Sequence, residues 1–598
     1  MAELSPEKRL LLAFVLTVLV LLGWSTMMRK LYPPPPGLPT GQTGSETGPT
    51  ATTPPAESAP AAPSPAGVKV EASPAAPPGV KQGTEERLIT VDTDTATIIF
   101  STRGAVVRSW RLKNYRDTAG EPVELVQGQT TRLGNPLALV ASNGVKQRQE
   151  ELQETLNNAL YVITPETSEL KAPGELVFEW SDGRLAARKR LRFPGGYLCE
   201  MTTELSEAGR PLPHRLAWLG GFGEHLGPAA TSGPEAQVLV RTPKGVQRQP
   251  ARIAGQTTGW LWKSSSPFPY SGEAAYAGIE DRYFVALFLP QRPQLEVAAW
   301  TASWTPEGTQ KAQSVGAVAV AGPNGTPLGL YVGPKAIDIL EKIEPPVLAN
   351  GARPELAGEL VDFGWFWWVA RPLFLLVKWM YKHWIPNYGW VIVVLTVLIN
   401  AALFPLRWKS MGSAFKMQKV APQIKAIQER YKQYRFNDPR KQQMQQEIMA
   451  VYSTHGINPF GGCLPLLMQI PFFYGFYKVL AFSIEMRHAP WMLWITDLSQ
   501  KDPYYVLPIT MAVTMFFSTR MTPMTDPQQQ RMMTVMMVVF GFAFLNVASG
   551  LVLYWMVSST VGLGQQWWIN RWQRAHQQAE REAGRTGKKK KRPGETPE

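Results

Sequence analysis

The sequence is poor in cysteine, with only Cys199 and Cys463 in 598 residues. Two cysteines give neither a disulfide framework nor a cysteine-based metal site, so each is expected to be a small packed residue. The chain also lacks the G-x-x-x-x-G-K-[ST] pattern that cradles nucleotide phosphates. We therefore expect no metal, no cofactor and no bound nucleotide. Without a nucleotide, the energy for any activity is expected to come from hydrophobic partitioning or the membrane potential.

Apolar and basic residues are distributed unevenly along the chain. Apolar residues gather near 10–28 and 388–569, whereas residues 33–360 are of mixed character. The net charge is +14, and Lys and Arg concentrate in 407–441 and in the tail from Arg571 onward. This segregation indicates a membrane protein with a large soluble insert.

The N-terminal segment 1–30 contains an apolar run of spanning length, residues 10–28, preceded by Lys8 and Arg9. A cleaved signal peptide would end in small residues, but bulky and basic residues follow this run. We therefore predict an uncleaved transmembrane signal anchor. No cysteine stands directly after this run, which excludes a lipoprotein anchor.

Two segments of different composition come next. Residues 31–84 are rich in Pro, Ala, Ser and Thr with few large apolar side chains, which is typical of a disordered periplasmic linker. Residues 85–345 contain short alternating apolar runs separated by Gly, Pro and Asn turns, which predicts an all-β sandwich domain.

Beyond residue 360 the pattern becomes helical and aromatic. We predict an interfacial helix at 363–384, because Trp and Phe alternate there with basic residues. Within a helical core at 360–570, apolar runs predict transmembrane helices at 388–406, 464–482, 504–520, 532–547 and 551–569. With the anchor, the fold class is a polytopic α-helical membrane protein of six transmembrane helices plus the β-sandwich.

The orientation follows from the positive charges in the connecting segments. Cytoplasmic termini place the β domain in the periplasm and put the basic segment 407–461 and the basic tail 571–598 in the cytoplasm. The opposite loop near 484–503 carries Glu485, Asp497 and Asp502. Parity and charge therefore agree on this orientation for a multi-pass membrane protein.

Residues 407–461 predict a basic helical hairpin with a turn at Asn437-Asp438-Pro439. Its candidate functional residues are Lys416, Lys419, Lys425, Arg430 and Lys432. Two interpretations stay open for the basic segments. They either obey the preference for positive charge in the cytoplasm or contact ribosomal RNA or a targeting receptor.

Several long motifs occur in a fixed order: SMGSAFKMQKVAPQIKAIQERY, NPFGGCLPLLMQIPFFYGFY, DPYYVLPITMAVTMF, MTDPQQQRMMTVMMVVF and SGLVLYW. In this order and spacing the sequence resembles the YidC family of membrane protein insertases. The anchor, the Pro-rich linker, the segment 91–115 and YVGPK at 331–335 resemble the Gram-negative form with a periplasmic domain.

The resemblance implies an insertase and chaperone for inner-membrane proteins, acting alone or with the Sec translocon. It implies a polar groove open to the cytoplasm and to lipid, with nascent membrane proteins, the ribosome and the lipid bilayer as partners. Carried over by motif, the groove residues are Thr396, Asn400, Gln469, Tyr554, Trp555 and Ser558. The helical spacing of Thr396 with Asn400, and of Tyr554 with Ser558, places each pair on one helix face.

The chain departs from the family at one position. The family commonly has an arginine five residues before the proline that ends the first core span, and here that position is Asn400. Arg407, two positions beyond Pro405, is expected at the cytoplasmic interface and not as a replacement for that arginine. Because the span at 532–547 is short, local bilayer thinning is expected to assist insertion.

Other interpretations of the same residues remain open. Single polar residues in spans often join helices together, and methionines often fill packing space. A small-solute transporter would show internal repeats and mid-membrane ionisable residues, which the core spans lack. A periplasmic carbohydrate enzyme could use Glu224 and His225, with His214 nearby, but it would leave the C-terminal motifs unexplained.

Overall fold

The computed structural model describes residues 79–589 except for 118, 128–132, 143–145, 224–235, 257–265, 305–312, 323–325, 362, 435–437, 458–463 and 522–526. The predicted anchor at 10–28, nearly all of the predicted linker, Glu224, His225 and Cys463 lie outside the described residues.

The N-terminal part of the described chain consists mostly of β-strands. They are β1 (Leu88–Asp92), β2 (Ala96–Ser101), β3 (Val106–Arg116), β4 (Pro122–Glu124), β5 (Ala138–Ala141), β6 (Val162–Thr164), β7 (Glu169–Lys171), β8 (Gly174–Ser181), β9 (Leu185–Gly195), β10 (Leu198–Glu207), β11 (Arg210–Pro211), β12 (His214–Trp218), β13 (Gln237–Thr242), β14 (Gly245–Pro250), β15 (Tyr270–Gly272), β16 (Tyr276–Glu280), β17 (Phe284–Pro290), β18 (Leu295–Trp304), β19 (Gln313–Ala321) and β20 (Leu328–Pro334).

The C-terminal part is helical. The helices are α1 (Lys146–Asn158), which lies among the strands, α2 (Ile337–Leu340), α3 (Leu356–Leu360), α4 (Trp367–His383), α5 (Tyr388–Ala402), α6 (Phe404–Arg430), α7 (Arg440–Thr454), α8 (Leu464–Phe482), α9 (Val506–Met521), α10 (Pro527–Phe544) and α11 (Ser549–Lys589).

The described strands form three sheets. The orders are β4-β3-β2-β1-β7, then β14-β13-β16-β17-β20-β10-β9-β8-β6 with β11 added on β10, and β15-β18-β19-β12-β5. Neighbouring strands are antiparallel, apart from the parallel pair β1 and β7. Residues from all three sheets contribute to one large apolar core.

Strand β9 shows how alternation builds this core. Leu185, Ala187, Leu191 and Phe193 occupy every second position and are buried, while the residues between them are half-buried or exposed. Lys189 takes one of the inward positions and is only 2% exposed. A lysine therefore occupies a position at which the alternation of inward and outward residues along the strand predicts an apolar side chain.

The ammonium of Lys189 holds two turns of the β domain. Its Nζ donates to the carbonyl oxygens of Gly104 at 2.8 Å, Ala105 at 2.9 Å and Leu137 at 2.8 Å. All three acceptor residues have positive φ angles, 75°, 49° and 65° respectively. Their carbonyls point inward because of that backbone conformation, and Lys189 satisfies buried acceptors that would otherwise be unpaired.

The central strand β17 connects the β domain to the helices. Its alternate residues Phe284, Ala286 and Phe288 enter the large β core, and Val285 and Leu287 enter a second apolar cluster on the opposite face. That second cluster continues without interruption into the connecting segment and the helical half, through Leu340, Leu356, Leu360, Leu373, Val391, Phe476 and Val552. The two halves of the chain thus share this second cluster.

A charged junction fixes the connecting segment on the sheet. Glu359 of α3 accepts from Arg241 Nε at 2.7 Å and from the Tyr276 hydroxyl at 2.6 Å, while its backbone carbonyl accepts from Arg248 at 2.6 Å. Arg248 also pairs with Glu280, at 2.7 Å. These bonds set the direction in which the chain leaves the sheet for α4.

Among the described residues, no single helix has the length and apolar character that a bilayer crossing requires. The pair α5 and α6 meets the test together, with a bend of 49° between its members. Val506–Met521 and Met533–Phe544 are shorter apolar helices.

Two differences from the expected helix boundaries change how the helices connect. The run at 388–406 does not form one continuous helix, because α5 ends at Ala402 and α6 begins at Phe404, next to Pro405. Proline has no N–H and clashes with the preceding turn, so the break falls beside it. At the other place α11 runs on from the apolar stretch through residues 571–589 of the expected tail, so these residues form one helix of 41 residues.

Candidate functional site

Helix α5 begins at a clear cap and carries its polar residues on one buried face. The Asn387 side chain accepts from the backbone N–H of Trp390 at 3.1 Å, which satisfies a free donor of the first turn. Thr396 and Asn400, one turn apart, are 0% and 4% exposed. This face of α5 packs against α11, which supplies the facing polar groups.

Four of the residues expected in the groove meet in one hydrogen-bonded cluster. Asn400 Nδ2 donates to Ser558 Oγ at 3.2 Å, and Ser558 Oγ lies 3.3 Å from Asn400 Oδ1. Gln469 Nε2 of α8 donates to Ser558 Oγ at 2.9 Å and to the Tyr554 hydroxyl at 2.8 Å. Three helices, α5, α8 and α11, therefore contribute to this polar cluster.

One end of the polar cluster is closed by apolar side chains. The Tyr554 ring is fully buried and stacks on Phe476, with 4.3 Å between the ring centroids. Val479, Leu480 and Leu551, buried in the same apolar cluster, continue the packing. Buried polar groups beside apolar side chains must form hydrogen bonds with one another or with a bound molecule.

The other side of the cluster opens into a cleft. The space free of protein atoms there is about 310 Å³, open solvent included. Its lining residues come from α5, α6, α8 and α11 and the joint between α5 and α6: Asn400, Leu403, Leu406, Arg407, Met468, Gln469 and Gln565. The bend between α5 and α6 lets residues from both helices face the same space.

Two cleft residues, Arg407 and Gln565, were not among the groove residues expected from the sequence. Arg407 Nη1 donates to Gln565 Oε1 at 2.8 Å, and Gln565 Nε2 donates to the backbone oxygen of Asn400 at 3.1 Å. A spacing of seven residues, from Ser558 to Gln565, is two helical turns and was the available signal for Gln565. The same spacing separates Asn400 from Arg407, although a helix break lies between them.

The side chains of the remaining two predicted residues make no hydrogen bond within the cluster, although the backbone oxygen of Thr396 accepts from Asn400 Nδ2 at 2.8 Å. The Thr396 hydroxyl donates to the carbonyl of Ile392 in its own helix at 2.6 Å. The Trp555 ring packs edge-on against Phe473, with 4.7 Å between the ring centroids, and contacts Phe544. Trp555 thus belongs to an aromatic group at the side of the polar cluster.

The basic residues expected on the hairpin all lie on its surface. Helices α6 and α7 pack along an apolar seam that includes Val420, Ile424 and Ile448. Arg430 pairs with Glu447 of α7 at 3.2 Å. The exposed basic residues on the outside of this seam are Lys416, Lys419, Lys425, Arg430 and Lys432.

Of the three residues considered for a carbohydrate enzyme, the structure describes His214. His214 Nδ1 lies 3.0 Å from the Leu212 carbonyl and Nε2 lies 2.9 Å from Thr203 Oγ1, so both ring nitrogens are occupied. Burial lowers the pKa of His214 below its usual value. Within the ranges that the structure describes, no group of three His, Cys, Asp or Glu side chains could hold a metal ion.

Two family models match the chain in tandem. A model described as the YidC periplasmic domain matches residues 88–376, and a model described as the 60Kd inner membrane protein matches residues 379–577.

Named relatives match along most of the chain. The membrane protein insertase YidC of Syntrophus aciditrophicus is 34% identical, over 94% of this chain and 99% of that protein. The protein of the same name from Geobacter metallireducens is 34% identical, over 94% of this chain and 98% of its own length.

Two solved structures are similar in part. One is a crystal structure of an active YidC insertase with its first transmembrane domain resolved, at 17% identity and a TM-score of 0.34, covering 81% of this chain and 93% of that one. The other is YidC from Thermotoga maritima, at 12% identity and a TM-score of 0.26, covering 80% of this chain and 99% of that one.

Proposed function

The chain belongs to the YidC family of membrane protein insertases, and on this premise we propose that it inserts its passengers through the cleft beside Asn400. The passengers are nascent inner-membrane proteins. A short hydrophilic segment of the passenger enters the cleft while its apolar helix moves sideways into lipid. The observation that carries this proposal is the polar cluster of Asn400, Gln469, Tyr554 and Ser558, which opens on the cleft.

The cleft lowers the barrier by replacing hydrocarbon with polar partners. Moving one charged side chain to the centre of a bilayer costs about 3 kcal/mol on insertion scales. Side-chain amides and hydroxyls, together with the water that a polar cleft admits, recover part of that cost. The cluster needs no fixed cation for this effect.

Short helices favour the same outcome. The apolar stretch Met533–Phe544 is about 18 Å long at about 1.5 Å per residue, against a hydrocarbon core of about 30 Å. We propose that this mismatch thins the bilayer beside the cleft. A thinner bilayer shortens the path of the passenger's hydrophilic segment.

The proposed arrangement in the membrane follows the charge distribution. The predicted anchor and five core segments give six spans, with both termini in the cytoplasm and the β domain, as a sandwich, in the periplasm. The exposed lysines of the hairpin then face the cytoplasm, where ribosomal RNA supplies phosphate for them to bind. The Sec translocon is proposed as an optional partner for passengers with several spans.

The experiment that tests the function is reconstitution of the full chain in liposomes without nucleotide. We expect a single-span passenger with a short polar tail to become protease-protected well above the level in protein-free liposomes, and added ATP to leave the yield unchanged. Protection no greater than in protein-free liposomes contradicts the proposal. A strict requirement for ATP would contradict the passive mechanism.

A further inference from the structure

We propose that the tip of the loop between α8 and α9, residues 491–494, contacts lipid hydrocarbon through Met492 and Leu493. The leaflet is the one on the side of the β domain, which is the periplasmic leaflet in the arrangement proposed above, and to that extent the inference rests on the proposed function. None of the residues that line the cleft belongs to this loop tip.

Hydrogen bonds hold the loop tip in one shape. The backbone N–H of Trp491 donates to the carbonyl of Ile495 at 3.0 Å, and the N–H of Ile495 donates to the carbonyl of Met492 at 3.1 Å. The carbonyl of Trp491 also accepts from Asn387 Nδ2 at 3.0 Å, and Asn387 is the residue that caps α5. The loop tip is therefore tied to the start of α5, so its outward side chains are a fixed feature of the fold.

Leu493 is an unusual residue for its position in two respects. Its side chain is 73% exposed, and its φ angle is 53°, in the left-handed region. That region is unfavourable for a bulky side chain, whereas glycine and asparagine adopt it more readily. Water also disfavours an exposed leucine. Because neither the backbone nor water favours leucine here, we infer that a contact outside the protein does.

The surface around Leu493 indicates that this contact is lipid. Residues 489–496 contain no charged side chain, and Met492 beside Leu493 is exposed as well. Trp390, in the first turn of α5, is exposed, and its ring centroid lies 5.8 Å from that of Trp491. The apolar surface of the loop tip therefore continues onto the outer face of α5, where Leu398 is also exposed.

Aromatic side chains with polar atoms lie at the base of the loop tip. Trp494 packs edge-on against the exposed Tyr504, with 6.1 Å between the ring centroids, and its Nε1 donates to the Asp502 carboxylate at 3.0 Å. Tryptophan and tyrosine are enriched at the level of the lipid headgroups. An apolar end above an aromatic base fits entry into the upper part of a leaflet, which favours lipid over a protein partner.

Depth-dependent fluorescence quenching tests the proposal. An environment-sensitive fluorophore is attached through Leu493→Cys in the full chain, with Cys463→Ala leaving the buried Cys199 as the other cysteine. The liposomes contain phospholipids that carry a nitroxide either near the headgroup or near the end of an acyl chain. We expect the shallow nitroxide to quench this label at least about threefold more than the deep one, since interfacial apolar groups enter only about 5–10 Å.

Two further label positions are the controls. Thr496→Cys labels an exposed polar position in the same loop, and neither nitroxide should quench it strongly. Leu398→Cys labels the exposed face of α5, about 12 Å along the helix from Trp390 at about 1.5 Å per residue. The deep nitroxide should quench that label more than the shallow one does.

A substitution separates the lipid contact from the fold. Asparagine tolerates the φ angle of position 493, so Leu493→Asn should not lower the melting temperature in detergent. With the label at Met492→Cys, we expect Leu493→Asn to reduce the shallow quenching at least about twofold, because the loop tip loses its largest apolar contact. Thr496→Asn should leave that quenching unchanged.

Quenching of the 493 label no greater than that of the 496 label overturns the proposal. Iodide in the buffer then identifies the cause: a label that iodide reaches lies in water, and one that it does not reach is covered by protein, including a second copy of the chain. Stronger quenching by the deep nitroxide at 493 also overturns it. Insertion by the unaltered protein is measured separately, so the proposed function and the lipid contact can fail independently.

Discussion

Replacement of Asn400 with leucine is expected to slow insertion of a polar-tailed passenger by at least about tenfold. The Asn400 amide bonds Ser558 and faces the cleft, so leucine removes a donor and an acceptor from the place where the passenger's polar groups lose water. A hydrogen-bonding partner lost from a desolvated site costs about 1–3 kcal/mol, and about 1.4 kcal/mol is tenfold in rate. The measurement is the initial rate of protease protection in liposomes.

Thr396→Val provides the matched control for this change. Thr396 lies one turn before Asn400 on the same buried face, but its hydroxyl bonds the carbonyl of Ile392 and not the cluster. Valine has nearly the same shape, so we expect the insertion rate to stay within about twofold. Full activity of Asn400→Leu, or an equal loss in both variants, would remove Asn400 from the groove.

Replacement of Lys189 with methionine is expected to lower the free energy of unfolding of the β domain by about 3–5 kcal/mol. Methionine fills a similar volume but leaves the carbonyls of Gly104, Ala105 and Leu137 without the donor that they share. The corresponding fall in melting temperature is about 10 °C for a domain of this size. Tryptophan fluorescence of the full chain in detergent measures it, because Trp180 lies in the same core.

Lys171→Met is the control, since Lys171 is exposed on the short strand β7 and its loss should change the stability by less than about 0.5 kcal/mol.

The stability that Lys189 contributes should depend on pH in a defined direction. Burial lowers the pKa of Lys189 from its ordinary value of 10.5 to about 7, so above pH 7 the unfolded chain holds a proton that the folded chain releases. Stability then rises with pH between these two values.

The unaltered protein should therefore gain stability relative to Lys189→Met as the pH is raised from about 7 to about 9. Equal melting temperatures of the two proteins at every pH would show that Lys189 does not hold the two turns.

Much of the helical half could be predicted from the sequence because apolar periodicity marks helices directly. The start of α5 at Tyr388 and the bounds of α8 at Leu464 and Phe482 coincide with the expected segments. The break at Leu403 was not predicted, because the apolar run continues through it and only Pro405 indicates a possible bend. That break decides which residues beyond it can face the cleft.

The structure brings together some of the residues that the resemblance named, and their role in a groove stays a prediction. The resemblance named Asn400, Gln469, Tyr554 and Ser558, and the structure brings these four together. The resemblance did not separate these four residues from Thr396, because the direction of a side chain within one helix face depends on its rotamer. Arg407 was expected at the cytoplasmic interface. Its place in the lining of the cleft was not expected, because the position of a long side chain after a helix break cannot be read from spacing.

The β domain illustrates a different limit. Alternation in β9 predicts which positions face inward, and Lys189 occupies one of them against expectation. Its acceptors are up to 85 residues away in the chain and depend on positive φ angles at turns, so no local pattern links them to the lysine. The shared core of β17 and the helices is likewise a tertiary feature.

Crosslinking to a passenger in transit tests the central claim most directly. A photoreactive residue is placed in turn at positions 400, 469 and 555, and at the exposed, apolar position of Leu398 as a control, and the full chain is presented with a ribosome-stalled passenger. We predict adducts with the hydrophilic segment from 400 and 469, with the adjoining apolar helix from 555, and with lipid from 398. Lipid adducts alone from all four positions would contradict the groove.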